Sequence, residues 1–379
     1  GVATRSIAAE QGAKLGKALT FDYLPHEQVV FAKIKPHFIN LGNDGKLSTS
    51  GRYQSDERDV DDVFRHVSEE SASWRGTPRL LLYAHGGLND EKASAARIAS
   101  LRPYFLANEI YPIHFMWETG LWDAIKGIVQ DADRDQRFGG LWDRAKERFL
   151  DLLDEAIELA TRKLGLLIWG QMKQNAELAS QQGGGADIVA GKIANYIAND
   201  GKLELHLVGH SAGSIFLGRL IPEIERWGLK VKTLTLYAPA CDTKLFEDNV
   251  QHYIGRGHRR CIERLTVFNL TDDAEREDHV AKVYHKSLLY LVSEAFEAKK
   301  HEMLLGMEKH LPANTAAVAS LGTRTRRGST VIHSRGGRNV KLVSSSTSHG
   351  GFDNDTDTLN STLRIIRGSN ELVKSFPQR

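Results

Sequence analysis

Runs of apolar residues, too short for a helix and too continuous for a half-exposed strand, recur along this chain. RLLLYA (79–84), YPIHFMW (111–117), LELHLV (203–208), KTLTLY (232–237) and RLTVFNL (264–270) share this character. Strands buried on both faces of a parallel sheet read this way. Helical patterns separate them: from Asp90 to about Ala107, after Ser211 with Phe216, Leu217, Leu220 and Ile221, and from Thr243 to Tyr253. The alternation predicts an α/β fold, a mostly parallel sheet with helices on both faces. Upstream, Val29–Ile34 reads as a first strand, and the turn Gly42-Asn43-Asp44-Gly45 leads into an edge-like strand near 46–53. A short helix is expected from Asp61 to Val67. Downstream, a long helix is expected from His279 to about His310, with Ser287–Val292 facing the core. The polar 322–337 stretch reads as a loop or hairpin, Val340–Ser345 as the last strand and Asp357–Arg367 as a closing helix.

Between 118 and 200 the alternation stops. Trp142, Ala145, Phe149, Leu152, Leu153, Ala156, Ala160 and Leu164 fall at three- and four-residue steps, the stripe of an amphipathic helix over 141–168. Gln181-Gln182-Gly183-Gly184-Gly185 breaks it before a second helix over 188–198. The expected organisation is an arm (1–25), a first half of the core (26–117), a helical cap over the carboxyl edge of the sheet (118–200) and a second half of the core (201–379). A peripheral decoration is the other reading of 118–200.

Composition narrows the function without naming it. The chain has 379 residues, 41% of them hydrophobic, and its formal charge is +2, so no global field points to nucleic acid or membrane. Cys241 and Cys261 match no zinc motif or disulfide framework and read as small buried thiols. They suit a reducing compartment, with the cytoplasm as the expected location. The start lacks Met and a signal-like apolar run, and a leader already removed stays open. No apolar run reaches the roughly 18 residues that span a bilayer. Oligomeric state is not legible.

The most specific signal is Gly209-His210-Ser211-Ala212-Gly213, placed between an apolar strand and an amphipathic helix. A serine is presented at the top of a sheet only if the chain reverses sharply, which puts it in a sparsely populated backbone region. Neighbours two positions away must then be nearly free of side chain, hence glycine at 209 and 213. The following helix aims its N-terminal dipole at the same place. Ser211 is the candidate nucleophile, and the inert alternative is a tight strand–helix turn. His210 is expected to point away from the reacting centre.

Acyl transfer builds an oxyanion needing two preorganised donors. Ala212 N–H is one candidate and Gly87 N–H the other, in His85-Gly86-Gly87 after the RLLLYA strand, with Leu88 as alternative. In enzymes built on such an elbow, an acid and then a histidine follow the serine along the chain. His349, among small residues near the end, is the candidate base, and His333 is its competitor. For the acid, Asp272 just beyond the 264–270 strand comes first, with Asp273 and Asp242 as alternatives; a helix N-cap is the ordinary role of any of them.

Together the HGG turn, the GHSAG elbow, Asp272 and His349 resemble the α/β-hydrolase superfamily over roughly residues 75–117 and 200–367. Ala238-Pro239-Ala240-Cys241-Asp242 with Phe246 also looks like a string in some uncharacterised bacterial hydrolases, except that Ala240 stands where those carry aspartate. The resemblance implies an α/β-hydrolase fold and a cofactor-free serine hydrolase acting on a small-molecule ester or related acyl substrate. Thioesterase, amidase and acyltransferase activities would use the same residues, and a non-catalytic binding protein on the same core is the alternative of a different class.

Substrate clues are sparser. Trp117, Trp122, Trp142 and Trp169 fall in or beside the expected cap. They either weld it to the core or, with His85, Gly86, Leu88 and His210, line an acyl pocket. Arg324, Arg326, Arg327, Arg335, Arg338 and Lys341 form a basic stretch with no acid between them, either a solvated loop or a site for an anionic group. It lacks the aromatic interleaving of a nucleic-acid surface.

Overall fold

A computed structural model of the protein describes residues 20–86, 90–117, 127, 146–200, 202–255, 257–281, 283–311, 329–334 and 342–377. Seven parallel strands form one sheet: β1 (Phe38–Leu41), β2 (Arg79–Ala84), β3 (Ile110–Trp117), β4 (Glu204–His210), β5 (Val231–Tyr237), β6 (Ile262–Asn269) and β7 (Ser329–His333). Their spatial order is β1-β3-β2-β4-β5-β6-β7. Leaving β2, the chain steps outward to β3; leaving β4, it steps the other way to β5. Right-handed crossovers therefore place the helices after β2 and β4 on opposite faces, and the strand order switches direction between these two neighbours. His85-Gly86 leaves β2 at that edge, and Ser211 leaves β4.

Local chemistry starts the helices where they are needed. Asp56 and Asp59 close a capping box at the head of α1 (Glu57–Ser71), and Asp90 caps α2 (Glu91–Ala107) by accepting from Ala93 N. The insertion supplies α3 (Lys146–Ser180) and α4 (Gly185–Asp200); α5 (Gly213–Arg226) follows the elbow. These last two pack together, and Arg226 and Trp227 both donate to Asp187 at 2.8 Å. After β5 comes α6 (Thr243–Asn249), after β6 the short α7 (Asp272–Glu277) and α8 (Leu288–Leu291), and near the end α9 (Thr356–Arg367), packed on β5. Among the described residues no helix is long and apolar enough to cross a membrane. Both cysteines are buried free thiols, and burial pushes each up to about 12.

Several expectations are corrected. Val29–Ile34 is not a strand: Phe31–Ile34 is a helical turn and the edge strand begins at Phe38, beyond Pro36. A short apolar run does not distinguish the two, and here Ile34 is buried with Phe38, Tyr53 and Met116. Residues 46–53 make only an isolated bridge, Leu41 to Leu47. Residues 342–345 form no strand, and β7 is the 329–333 segment. The helix expected over 279–310 is broken: Ser287 caps the single turn α8, a wider turn follows at Val292–Phe296, and Glu297 is extended. Tertiary contacts override the local pattern there. Phe296 sits where a Cβ on Gly165 of α3 would be, and Arg162 donates to the carbonyls of Glu294 and Ala298.

The buried face of α3 is also rotated from the expected stripe. Ala160 and Leu164 are exposed, while Asp154, Ile157, Glu158, Thr161, Gly165, Trp169 and Met172 are buried. Two carboxylates can face inward because partners meet them. His285 N donates to Asp154, and Tyr284 Oη donates to Glu158 at 2.7 Å. Trp142, Trp122, Gly87, Leu88 and the basic residues Arg324, Arg326, Arg327, Arg335, Arg338 and Lys341 lie outside the described residues.

Candidate active site

Ser211 has φ of 52°, in the left-handed region that a β-carbon makes costly. Three bonds hold the turn there. Ser211 N donates to Tyr237 O at 2.8 Å, Ala240 N donates to Ser211 O at 3.1 Å, and Ser214 Oγ donates to the same carbonyl at 2.6 Å. Ser214 Oγ in turn accepts from Cys241 N, tying the elbow to the segment after β5. The flanking glycines are needed for close approach. A Cβ on Gly213 would overlap the carbonyl of Ala84 at the end of β2, and one on Gly209 would lie 3.0 Å from Gly213 O. Gly213→Ala is therefore expected to cost about 1–3 kcal/mol, read as a lowered midpoint in thermal denaturation.

The turn after β2 lies against the nucleophile. A Cβ on Gly86 would come within 3.1 Å of Ser211 Cβ. His85 is buried, its Nδ1 facing Gly86 O at 2.6 Å, and burial lowers it to about 4. Trp117, at the end of β3, donates from Nε1 to His85 O at 3.1 Å and packs on Phe216 of α5. Trp117, His85 and Gly86 thus meet beside Ser211. Ala212 caps the amino end of α5, so its N–H belongs to the positive end of that helix.

His349 reaches this point from 138 residues away in sequence: its Nε2 is 2.8 Å from Ser211 Oγ. Both residues are nearly sealed, with exposures of 2% for Ser211 and 3% for His349. Burial lowers the imidazole to about 3, reinforced by His210 and opposed by Asp353. A base lowered in this way stays neutral as pH falls. Its Nδ1 is buried and has no hydrogen-bond partner among the described residues. His333, the competitor, ends β7 and faces Glu308, with Nδ1 3.7 Å from the carboxylate.

None of the three aspartates expected from chain order is brought to His349. Asp272 opens α7; its oxygens accept from Tyr290 Oη at 2.6 Å and Arg276 Nε at 2.8 Å, which outweigh burial and lower its carboxyl. Asp273 is exposed, and Asp242 caps α6 by accepting from Leu245 N. A carboxylate that does bond to His349 is Asp278, immediately after α7. Its Oδ2 accepts from His349 N at 2.7 Å, and burial raises its carboxyl despite bonds from His349 and His279. Asp278 lies six positions beyond Asp272, at the other end of the short helix α7.

A second carboxylate, Asp353, lies in the same loop as His349. Arg97 of α2 bonds to its Oδ2 at 2.7 Å, and Nδ1 of His210 lies 3.1 Å from the same oxygen. Burial pushes Asp353 up, but Arg97 and His210 outweigh it and hold the carboxyl at about 2. Of these residues the sequence singles out His210, as a pocket candidate expected to point away from the reacting centre, and not Asp278, Asp353 or Arg97. Four-residue spacing from His349 was the only available hint for Asp353.

No protein-family model matches the chain, and no curated protein matches it.

Proposed function

We propose that this protein is a serine hydrolase of the α/β-hydrolase type, cleaving carboxylic esters through an acyl-serine intermediate. One observation carries the reading: a serine on a strained strand–helix turn, with an imidazole nitrogen 2.8 Å from its hydroxyl. The placement at the carboxyl ends of β2 and β4, where the strand order reverses, agrees with it.

In this reading the neutral His349 ring carries its hydrogen on Nδ1 and takes the Ser211 proton on Nε2 as Oγ attacks the acyl carbon. The oxyanion develops at the amino end of α5, with Ala212 N–H and the turn after His85-Gly86 as its donors. His349 then returns the proton to the leaving alcohol. For hydrolysis of the acyl-serine, His349 takes a proton from water as the water oxygen attacks the acyl carbon, and returns that proton to Ser211 Oγ as the acid leaves. Asp278, bonded to the main chain of His349 through Oδ2, is the carboxylate assigned here to accept from the ring Nδ1–H. The helical insertion is the proposed cap, since α3 packs both on α5 and on the Val292–Phe296 turn.

Incubation with a fluorophosphonate and mapping of the modified peptide tests the assignment directly. Labelling at Ser211 is expected, and a folded protein that stays unlabelled overturns it. The lowered His349 adds a pH expectation. Because the free base remains neutral well below its ordinary 6.5, the acid limb of kcat/KM for p-nitrophenyl acetate should lie below that value. A limb at or above 6.5 would mean that His349 is not held in the buried setting described.

A further inference from the structure

His210 precedes the nucleophile, and adjacent residues leaving a strand ordinarily point to opposite sides. Here both reach the same partner residue. Ser211 Oγ meets the ring of His349, while Nε2 of His210 lies 2.9 Å from the main-chain carbonyl of His349. The other nitrogen, Nδ1, lies 3.1 Å from Asp353 Oδ2, four residues further along the same loop. The imidazole thus spans the base-bearing loop at two points, and the whole assembly is buried.

We propose that His210 is a positioning residue of this site, stapling the 349–353 loop to the nucleophile turn through both ring nitrogens. The inference rests on the serine-hydrolase reading above. Both nitrogens face oxygen atoms of the 349–353 loop, the carbonyl of His349 and the carboxylate of Asp353. Arg97 bonds to the same carboxylate and anchors it to α2. Tyr23 Oη donates to Asp353 O at 2.5 Å, adding a third hold on the loop. The residue that carries the base is then held on both sides of its main chain, N–H by Asp278 and C=O by His210.

The consequence is geometric. Nucleophile and staple are consecutive residues, so the spacing between Ser211 Oγ and His349 Nε2 is set by one rigid turn instead of by the loop's own conformation. Releasing the staple leaves both catalytic groups in place in the chain while loosening their approach, and misplacement on the scale of 1 Å costs about 100-fold.

The test uses His210→Gln, whose donors sit on one nitrogen and so do not reproduce the two-nitrogen span of the imidazole, and Asp353→Asn, which keeps the shape and removes the charge. The probes are a fluorophosphonate, followed for both rate and end point, and p-nitrophenyl acetate. The second-order labelling constant is expected to fall about 10–100-fold with one label per folded chain still reached. For the ester, kcat should fall with KM within about twofold of the parent. An unchanged rate constant overturns the proposal, whether the end point stays full or drops, since a lowered end point alone reports only lost folded protein. Failure of the parent protein to label is a different result, which removes the hydrolase reading and this inference with it.

Discussion

Ser211→Ala should lower kcat for ester hydrolysis by about 10⁶-fold, to the level left by binding and oxyanion donors alone. The substitution isolates the chemistry because it leaves the turn intact. Alanine keeps the β-carbon, so it inherits the same cost at φ of 52°. The backbone bonds from Ser211 N to Tyr237 and from Ala240 N to Ser211 O do not involve the hydroxyl. Only the bond between Oγ and His349 Nε2 is lost, worth about 1 kcal/mol to stability. A melting midpoint close to the parent's, together with lost turnover and lost fluorophosphonate labelling, is the expected combination. Turnover that survives in the folded variant would show that the hydroxyl does not form the acyl bond.

Asp278→Asn should lower kcat by about 10³–10⁴-fold, the scale on which an uncharged partner fails to hold a catalytic imidazole in its working tautomer. Asparagine retains a carbonyl oxygen to accept from His349 N, so the loop stays anchored while the charge disappears. Asp272→Asn is the matched control. Its carboxylate is occupied by Tyr290 and Arg276, and its loss should change kcat by less than about twofold. Steady-state kinetics on the two variants side by side decide the assignment. A larger loss at Asp272 would return the acid to the position suggested by chain order and remove Asp278 from the site.

The contrast between these aspartates shows where local reading stops. Asp272 stands immediately beyond a buried strand, where a triad acid is commonly found, and nothing in its neighbours separates it from Asp278. What separates them is α7, capped by Thr271, whose turns direct Asp272 toward Tyr290 and deliver Asp278 to the loop of His349. The same limit applies to α3. Three- and four-residue spacing identifies an amphipathic helix, but the inward face is chosen by what lies opposite: Tyr284 and His285 for Glu158 and Asp154, and the Phe296 ring for Gly165. His210 is a further case. Its neighbour's role marks it as pointing elsewhere, and only the folded loop shows that the two meet on one residue.

By itself the amino-acid order determined the alternation of strands and helices, the buried runs that became β2 to β6, the GHSAG turn with its two obligatory glycines, and His349 as the late histidine among small neighbours. These are local properties, set by side-chain volume, apolar periodicity and the backbone freedom of glycine. Tertiary structure alone decided that β2 and β4 lie side by side, that β7 is the 329–333 segment, that the 279–310 stretch breaks, and which carboxylates approach the base. Each of those depends on contacts between residues far apart in the chain. Hydrogen-bond partners and close packing over such separations are fixed by the completed fold, and no short window of sequence contains them.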